Sequence, residues 1–491
     1  MLLCGLICGI IAVAGYYLSI SLLFFGIIIA IALAFFIFIG KNPKYIFIGL
    51  LVLVMLLSSV HSYSQVHKIE NYADKTERLQ FIVCDITYES PEYARAEIEI
   101  KNGKLKGKTA TVVYYQPLSI GKGYIADIKF KEIPKEYKLL NYSNNIFLNG
   151  TLSNIEAWDV PQDFVLVYAE KTRNYIKDIS FKYLGYDEAA TLCALLFGDS
   201  DYFTDEFYSN VKGAGVSHVM VVSGMHLAII AGFFTMFADK FAYNKYLKAF
   251  LLIIIVILLT AICGFTMSMK RAGITYIIMA IAILINRKST PSNTIGAALT
   301  IILITSPFAI FNVALQLSFL STFGILAVAL PVMDYIKRKE MIKSVVLLFL
   351  ADSVFLSLSA LIMTLPVVIY IFGYISTVCL IANLLISNIV TITICLAVVG
   401  LITGLFSDFL TAFVMMPCNG LLKYINYVIN TLGGWSFSTF SVPQFCTVFA
   451  IFLILLLFWL LLACKKRNNV IKLNIIEAKI LKEGGKKVKW R

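Results

Sequence analysis

The sequence predicts a polytopic α-helical membrane protein of about twelve transmembrane helices, with one small extracytoplasmic all-β domain that is OB-like. Three observations lead there. Of 491 residues, 59% are apolar and only 14% charged, which is outside the balance of a soluble globular chain. Apolar runs recur that are long enough, at roughly 20 residues per helix, to cross ~30 Å of hydrocarbon. One stretch, 65 to 160, breaks the pattern and alternates apolar with polar residues.

The chain opens MLLCGLICGIIAVAGYY, without a basic n-region, and stays apolar to Ile39, which is too long for a cleaved signal peptide. Helices are expected near 2 to 18, 20 to 39 and 45 to 60, then near 214 to 237, 247 to 264, 272 to 286, 294 to 309, 312 to 333, 345 to 372, 376 to 405, 409 to 429 and 446 to 463. The span 376 to 405 is long enough for one tilted helix or a broken pair. Basic residues cluster at Lys41 with Lys44, at YIKRKEMIK (335 to 343), and in the tail Lys465 to Arg491. That tail holds 10 basic and two acidic residues, so +8 of the +13 total. The positive-inside rule then puts 65 to 185 outside the cytoplasmic membrane and the C-terminus inside.

Within the outer region, LQFIVCDITYE, YARAEIEIK, TATVVYYQ, GYIADIKFKE and NIFLNGTLSNI read as five strands, separated by turn signals such as KNGKLKGK and SIGKG. A small antiparallel barrel or sandwich follows, and an OB-like barrel fits the count. Cys84 is the lone cysteine of this region, so no disulfide framework holds it. Farther on, Ala189 to Phe197 is apolar but too short to span, which predicts an interfacial or re-entrant helix near 189 to 198. The chain thus divides into N-terminal helices (1 to 60), the β domain (65 to 160), a membrane domain (172 to 464) and the basic tail (465 to 491).

The stretch SHVMVVSGMHLAII, Ser217 to Ile230, reads as a membrane helix that holds His218, Ser223, Gly224 and His226. On a straight helix the two histidines are separated by ~12 Å of rise, too far to share one metal ion. Ser223 and His226 fall at i and i+3 on one face, and Gly224 between them permits close helix approach or a local break. Polar glue between helices explains such a stripe; so does a hydrated path, because intramembrane ionisable groups usually face a cavity. Lys270 and Arg271 sit at the outer end of a helix, where cations snorkel or meet an anion such as phosphate. Gln316, with Ser318, Ser321 and Thr322 nearby, and Asn383 and Asn388 add polar groups to apolar runs. There is no GxxxxGK[ST] loop, no HExxH pair and no HxHxD cluster, so neither cofactor nor metal is expected.

The run Ala189 to Gly232, with its LLFGD, GVSH and SGMH elements, resembles the signature of the ComEC competence family. KRAG (270 to 273), LQLSF (315 to 319) and TLPVVIYIFGYISTVCLIANLL (364 to 385) resemble its later motifs in the same order, and NYSNNIFLNG (141 to 150) resembles the end of its extracytoplasmic domain. The resemblance implies an OB-like outer domain and a channel that passes single-stranded DNA into the cytoplasm during natural transformation. Its implied partners are single-stranded DNA, a DNA receptor and an ATP-driven cytoplasmic helicase or translocase.

At the motif positions, Gly198, Asp199, Gly215, Gly224, Pro366 and Gly373 are expected to be structural. His218, Ser223, His226, Lys270, Arg271, Gln316 and Asn383 are the candidates for the DNA path. Many members continue into a cytoplasmic metallo-β-lactamase-like domain; the form expected here lacks it, and no nuclease role tied to it is carried over. Asn388 stands where the family often has proline, and the lone Cys84 departs from members with a disulfide in the outer domain. Two other functions keep some of these residues: an intramembrane hydrolase using Ser223 and His226, and a small-anion transporter.

The tail is expected to hold anionic membrane lipids, at ~1 kcal/mol per basic residue near the surface. Truncation after Lys466 should therefore leave DNA uptake per molecule unchanged. Loss of uptake at normal membrane abundance would assign the tail to DNA capture instead.

Overall fold

The computed structural model describes residues 72 to 454, apart from 73, 91, 160–162, 242–243, 288 and 452. The helices expected at 2 to 18, 20 to 39 and 45 to 60, most of that at 446 to 463, and the basic tail lie outside the described residues. Five strands form a closed barrel: β1 (Thr76–Glu89), β2 (Ala94–Ile100), β3 (Thr109–Tyr114), β4 (Gly123–Lys131) and β5 (Ile146–Trp158), in the order β1-β2-β3-β5-β4. Alternation drives it. In β3 every second residue is buried, and Phe81, Val83, Ile98, Val112, Ile128 and Phe130 fill the interior. β1 is long enough to pair with β4 along its first half and β2 along its second, and two bulges, between Val83 and Asp85 and between Ile86 and Tyr88, bend it round. A short helix, α1 (Lys135–Ser143), joins β4 to β5.

The helical part begins with α2 (Phe164–Tyr183), α3 (Tyr186–Phe197), α4 (Asp205–Gly213), α5 (Ser217–Met220) and α6 (Gly224–Phe241). Next come α7 (Lys245–Ile262), α8 (Met267–Leu284), α9 (Pro291–Thr305), a 3₁₀ turn (Pro307–Phe311) and α10 (Val313–Gly324). A π-helical turn (Ile325–Ala329) runs on into α11 (Leu330–Arg338). They are followed by α12 (Val345–Phe372), α13 (Cys379–Gly404) and α14 (Asp408–Gly433). Strands β6 (Tyr374–Ser376) and β7 (Thr439–Ser441) pair as a small ribbon.

Among the described residues, five helices are long and apolar enough to cross a membrane: α7, α8, the composite Val313–Arg338, α12 and α13. The span read as one helix or a broken pair is a single helix, α13. α14, expected as a further span, carries Asp408, Lys423, Asn419, Asn426 and Asn430, and is not one of the five.

α3 narrows an expectation. Of the interfacial and re-entrant alternatives, the interfacial one calls for a polar face, whereas Ala189 through Phe197 are buried without a gap. The helix packs against α2 and α14 and shares one core with Leu422 and Ile425 of α14.

Two contacts fasten the barrel to the helices. At one, Asn145 donates to Ser306 Oγ (2.8 Å) and Asn312 donates to Asn144 Oδ1 (2.6 Å), while Phe308 of the 3₁₀ turn inserts against Tyr142 and joins the barrel core. At the other, Arg173 of α2 binds Asp85 of β1 (3.1 Å) and donates through Nε to the Ile262 carbonyl at the end of α7 (2.6 Å). A cation there also meets the negative end of the α7 dipole. Glu97, the cross-strand neighbour of Asp85, has its carboxyl pushed up by burial and by the Asp85 charge. Burial similarly pushes the Cys84 thiol up to about 12.

Arg173 is one side chain shared by three elements. Losing a charge-assisted hydrogen bond at a half-buried pair costs about 1–3 kcal/mol, so Arg173→Met should lower the melting temperature of the purified protein and expose the barrel junction to limited proteolysis. An unchanged proteolytic pattern would mean that the asparagine contact suffices alone.

Candidate functional site

Ser217 to Ile230 is not one helix. α5 ends at Met220, Val221 is extended (φ −86°, ψ 128°), and α6 starts at Gly224. Gly215 enables the approach to α5: its φ is +70°, and a methyl group there would lie 2.7 Å from the Cβ atoms of Cys379 and Ser376. Ser223 then caps α6. Its Oγ accepts from the Met225 N–H (3.2 Å), and its own N–H donates to His226 Nδ1 (3.0 Å). This is a reciprocal cap of the capping-box kind, with histidine in place of the usual Glu or Gln. The Ser223–His226 pair thus spans a helix start rather than sharing a face along one helix.

That cap sets the imidazole tautomer. A backbone N–H pointing at Nδ1 requires its lone pair, so the ring proton sits on Nε2. His226 is 1% exposed, and its Nε2 has no hydrogen-bond partner. A buried donor is therefore left open.

Arg271, in the first turns of α8, is 7% exposed. Its Nε donates to Ser318 Oγ of α10 (2.9 Å), and Ser268 donates to the same hydroxyl (3.1 Å). Its Nη2 lies against Gly224, where a methyl group would be 2.7 Å away. Among the described residues no carboxylate pairs with it. The first turn of α6 thus collects a guanidinium, the positive end of a helix dipole and an imidazole N–H, all of which favour an anion.

The other candidates lie apart. Lys270 lies within electrostatic range of Glu97 and Cys84 of the barrel. Gln316 donates to the Ile310 carbonyl (2.7 Å) and holds the 3₁₀ turn. His218 is exposed on α5, within electrostatic range of His226. Asn383 is buried on α13; it contacts Cys379 Sγ (3.5 Å), which in turn donates to the Gly215 carbonyl before α5. Gly198 ends α3 in the left-handed region, and Asp199 after it binds Lys177 of α2 (2.8 Å). Gly373 ends α12 likewise, and Pro366 lies within that helix. Arg173 escaped sequence reasoning, because nothing marks it among the charges of an amphipathic stretch.

Residues 195–467, more than half of the chain, match the family model described as Competence protein. The chain belongs to the competence protein family. It is 22% identical over 335 residues to ComE operon protein 3 of Bacillus subtilis (strain 168), an alignment covering 68% of this chain and 42% of that protein. The chain thus spans about two fifths of the length of that relative. No solved structure matches it. The family match contains the α6 cap, Arg271 and Ser318, and leaves the barrel outside.

Gly224→Ala should push the Arg271 guanidinium out of its niche and cost about 1–3 kcal/mol through overpacking. Gly232→Ala, one helix face away with open space around it, should be neutral or slightly stabilising. Thermal unfolding of the two variants in detergent checks this, and equal melting temperatures would refute the close approach.

Proposed function

We propose that this chain forms the path by which single-stranded DNA crosses the bacterial cytoplasmic membrane in natural transformation, and that it acts as a channel rather than an enzyme. One observation carries the reading: the buried Arg271 guanidinium has no carboxylate partner among the described residues and abuts the N-terminus of α6. Such a charge is costly unless something anionic passes or binds there. Phosphates of a nucleic acid strand are a repeating anion of the right kind, and membership of the competence family supports the choice. In this reading Ser223, His226 and Arg271 border the path and His218 stands near its approach. The barrel, whose closed order fits an OB-like domain, lies on the extracytoplasmic side, and the C-terminus is cytoplasmic. A DNA receptor outside and an ATP-driven translocase inside are the partners it needs.

The intramembrane hydrolase fits less well. The Nδ1 lone pair that would take the Ser223 proton already accepts from the Ser223 N–H, although the hydroxyl is also close (3.1 Å). Moreover, among the described residues no carboxylate orients the ring from Nε2, as a catalytic dyad requires. A small-anion transporter would share the Arg271 niche but give the barrel no task.

Arg271→Gln separates these. Removing an uncompensated buried charge should leave thermal stability unchanged or raise it, while transformation per membrane-inserted molecule falls at least about tenfold, equivalent to ~1.4 kcal/mol. Photo-cross-linking of a labelled strand during uptake should capture the wild type and not the variant. Normal uptake per molecule with a lowered melting temperature would overturn the path and make Arg271 a packing residue.

A further inference from the structure

A second polar feature has the opposite character. Between the first turns of α3 and α4 and the C-terminal part of α14 lies a cavity of about 360 Å³, bordered by Asp187, Glu188, Glu206, Phe203, Phe207 and Asn426. None of the three carboxylates forms an ion pair among the described residues. Their position at helix starts is explained by the helix dipoles, but each dipole supplies only about half a charge, so the cavity stays negative.

Asn426 adds an independent sign. It is 7% exposed, and in the side-chain orientation the structure shows its Nδ2 has no partner while its Oδ1 faces Thr191. That atom lies 2.8 Å from Thr191 Oγ1, which also lies 2.8 Å from the Asp187 carbonyl. A hydroxyl has one proton, and the carbonyl four residues back in the helix takes it. Turning the amide over, so that its nitrogen donates to Thr191, then gives each proton of the contact one acceptor. That orientation leaves the carbonyl oxygen as the unpartnered atom, since oxygen and nitrogen of an amide have the same shape and only hydrogen-bond chemistry assigns them.

We propose that this cavity binds the ammonium or guanidinium head of an organic cation. Three carboxylates and an amide oxygen supply acceptors. Phe203 and Phe207, packed edge to face with centroids 4.9 Å apart, supply the aromatic wall that such heads favour. A bare metal ion is a poorer fit, because no group of three ligating side chains converges among the described residues. Nucleic acid is repelled from it, so the cavity is separate from the proposed path.

The head group has two sources, a free amine or the side chain of a basic partner segment. Isothermal titration of the purified full chain with putrescine and, separately, with an N-acetylated, C-amidated arginine peptide distinguishes them. At least one should bind, with affinity reduced about tenfold by Glu188→Gln and by Glu206→Gln, and unchanged by Glu92→Gln on the barrel. Glu206 is exposed, so its variant tests binding without disturbing the core. Putrescine binding assigns a small-molecule site; binding of the peptide alone assigns a partner side chain. Failure of both, or equal loss in the Glu92 variant, overturns the proposal, and neither result bears on DNA passage.

Discussion

A cation buried without a counter-charge among the described residues is the constraint around which the helical domain is arranged. Arg271 has left water, and the effective penalty for that is several kcal/mol. What surrounds it reads as partial compensation. Gly224 has no side chain, so the guanidinium can approach the α6 backbone. Ser318 offers a hydroxyl, and Ser268 orients that hydroxyl in turn. The chain also breaks at Val221 to Ser223, which presents a helix terminus where a continuous helix would have offered only apolar side chains. None of these groups carries a full negative charge.

Periodicity made most of the architecture legible. The five strands follow from alternation in stretches such as TATVVY, and five described helices reach membrane length where the apolar runs are. At the site, the residues were legible but their relation was not. Ser223, Gly224, His226 and Arg271 stood out as polar or small groups in apolar sequence, yet helical spacing put Ser223 and His226 on a face they do not share. A capping exchange depends on where a helix begins, and SGMH reads equally well as helix interior. Lys270 and Arg271 show the limit plainly: adjacent in sequence, they differ by about 100° around a helix, so one comes within electrostatic range of the barrel and the other is buried in the interior. Arg173 and Asn426 act through partners scores to hundreds of residues away, and no local pattern records that.

The two polar sites divide the molecule by charge. Donors gather at the start of α6 and acceptors between α3, α4 and α14, with the packed residues of α13 and α14 in the same core as both. In a chain of net charge +13, the acidic cavity is the local exception. Electrostatic complementarity decides which partner a surface admits more than how tightly it holds it, so the division reads as sorting.

The barrel's pairing has a mechanical consequence. β1 and β5 both flank β4 and both run antiparallel to it, and Thr76 pairs near one end of β4 while Trp158 pairs with Gly123 at the other. Tension entering at Thr76 and leaving at Trp158 toward α2 is therefore carried along the strands. Ladder hydrogen bonds lie perpendicular to that direction, so they resist together, in shear, instead of opening one after another as in an unzipping hairpin. A domain wired this way holds its shape when the chain on either side is pulled.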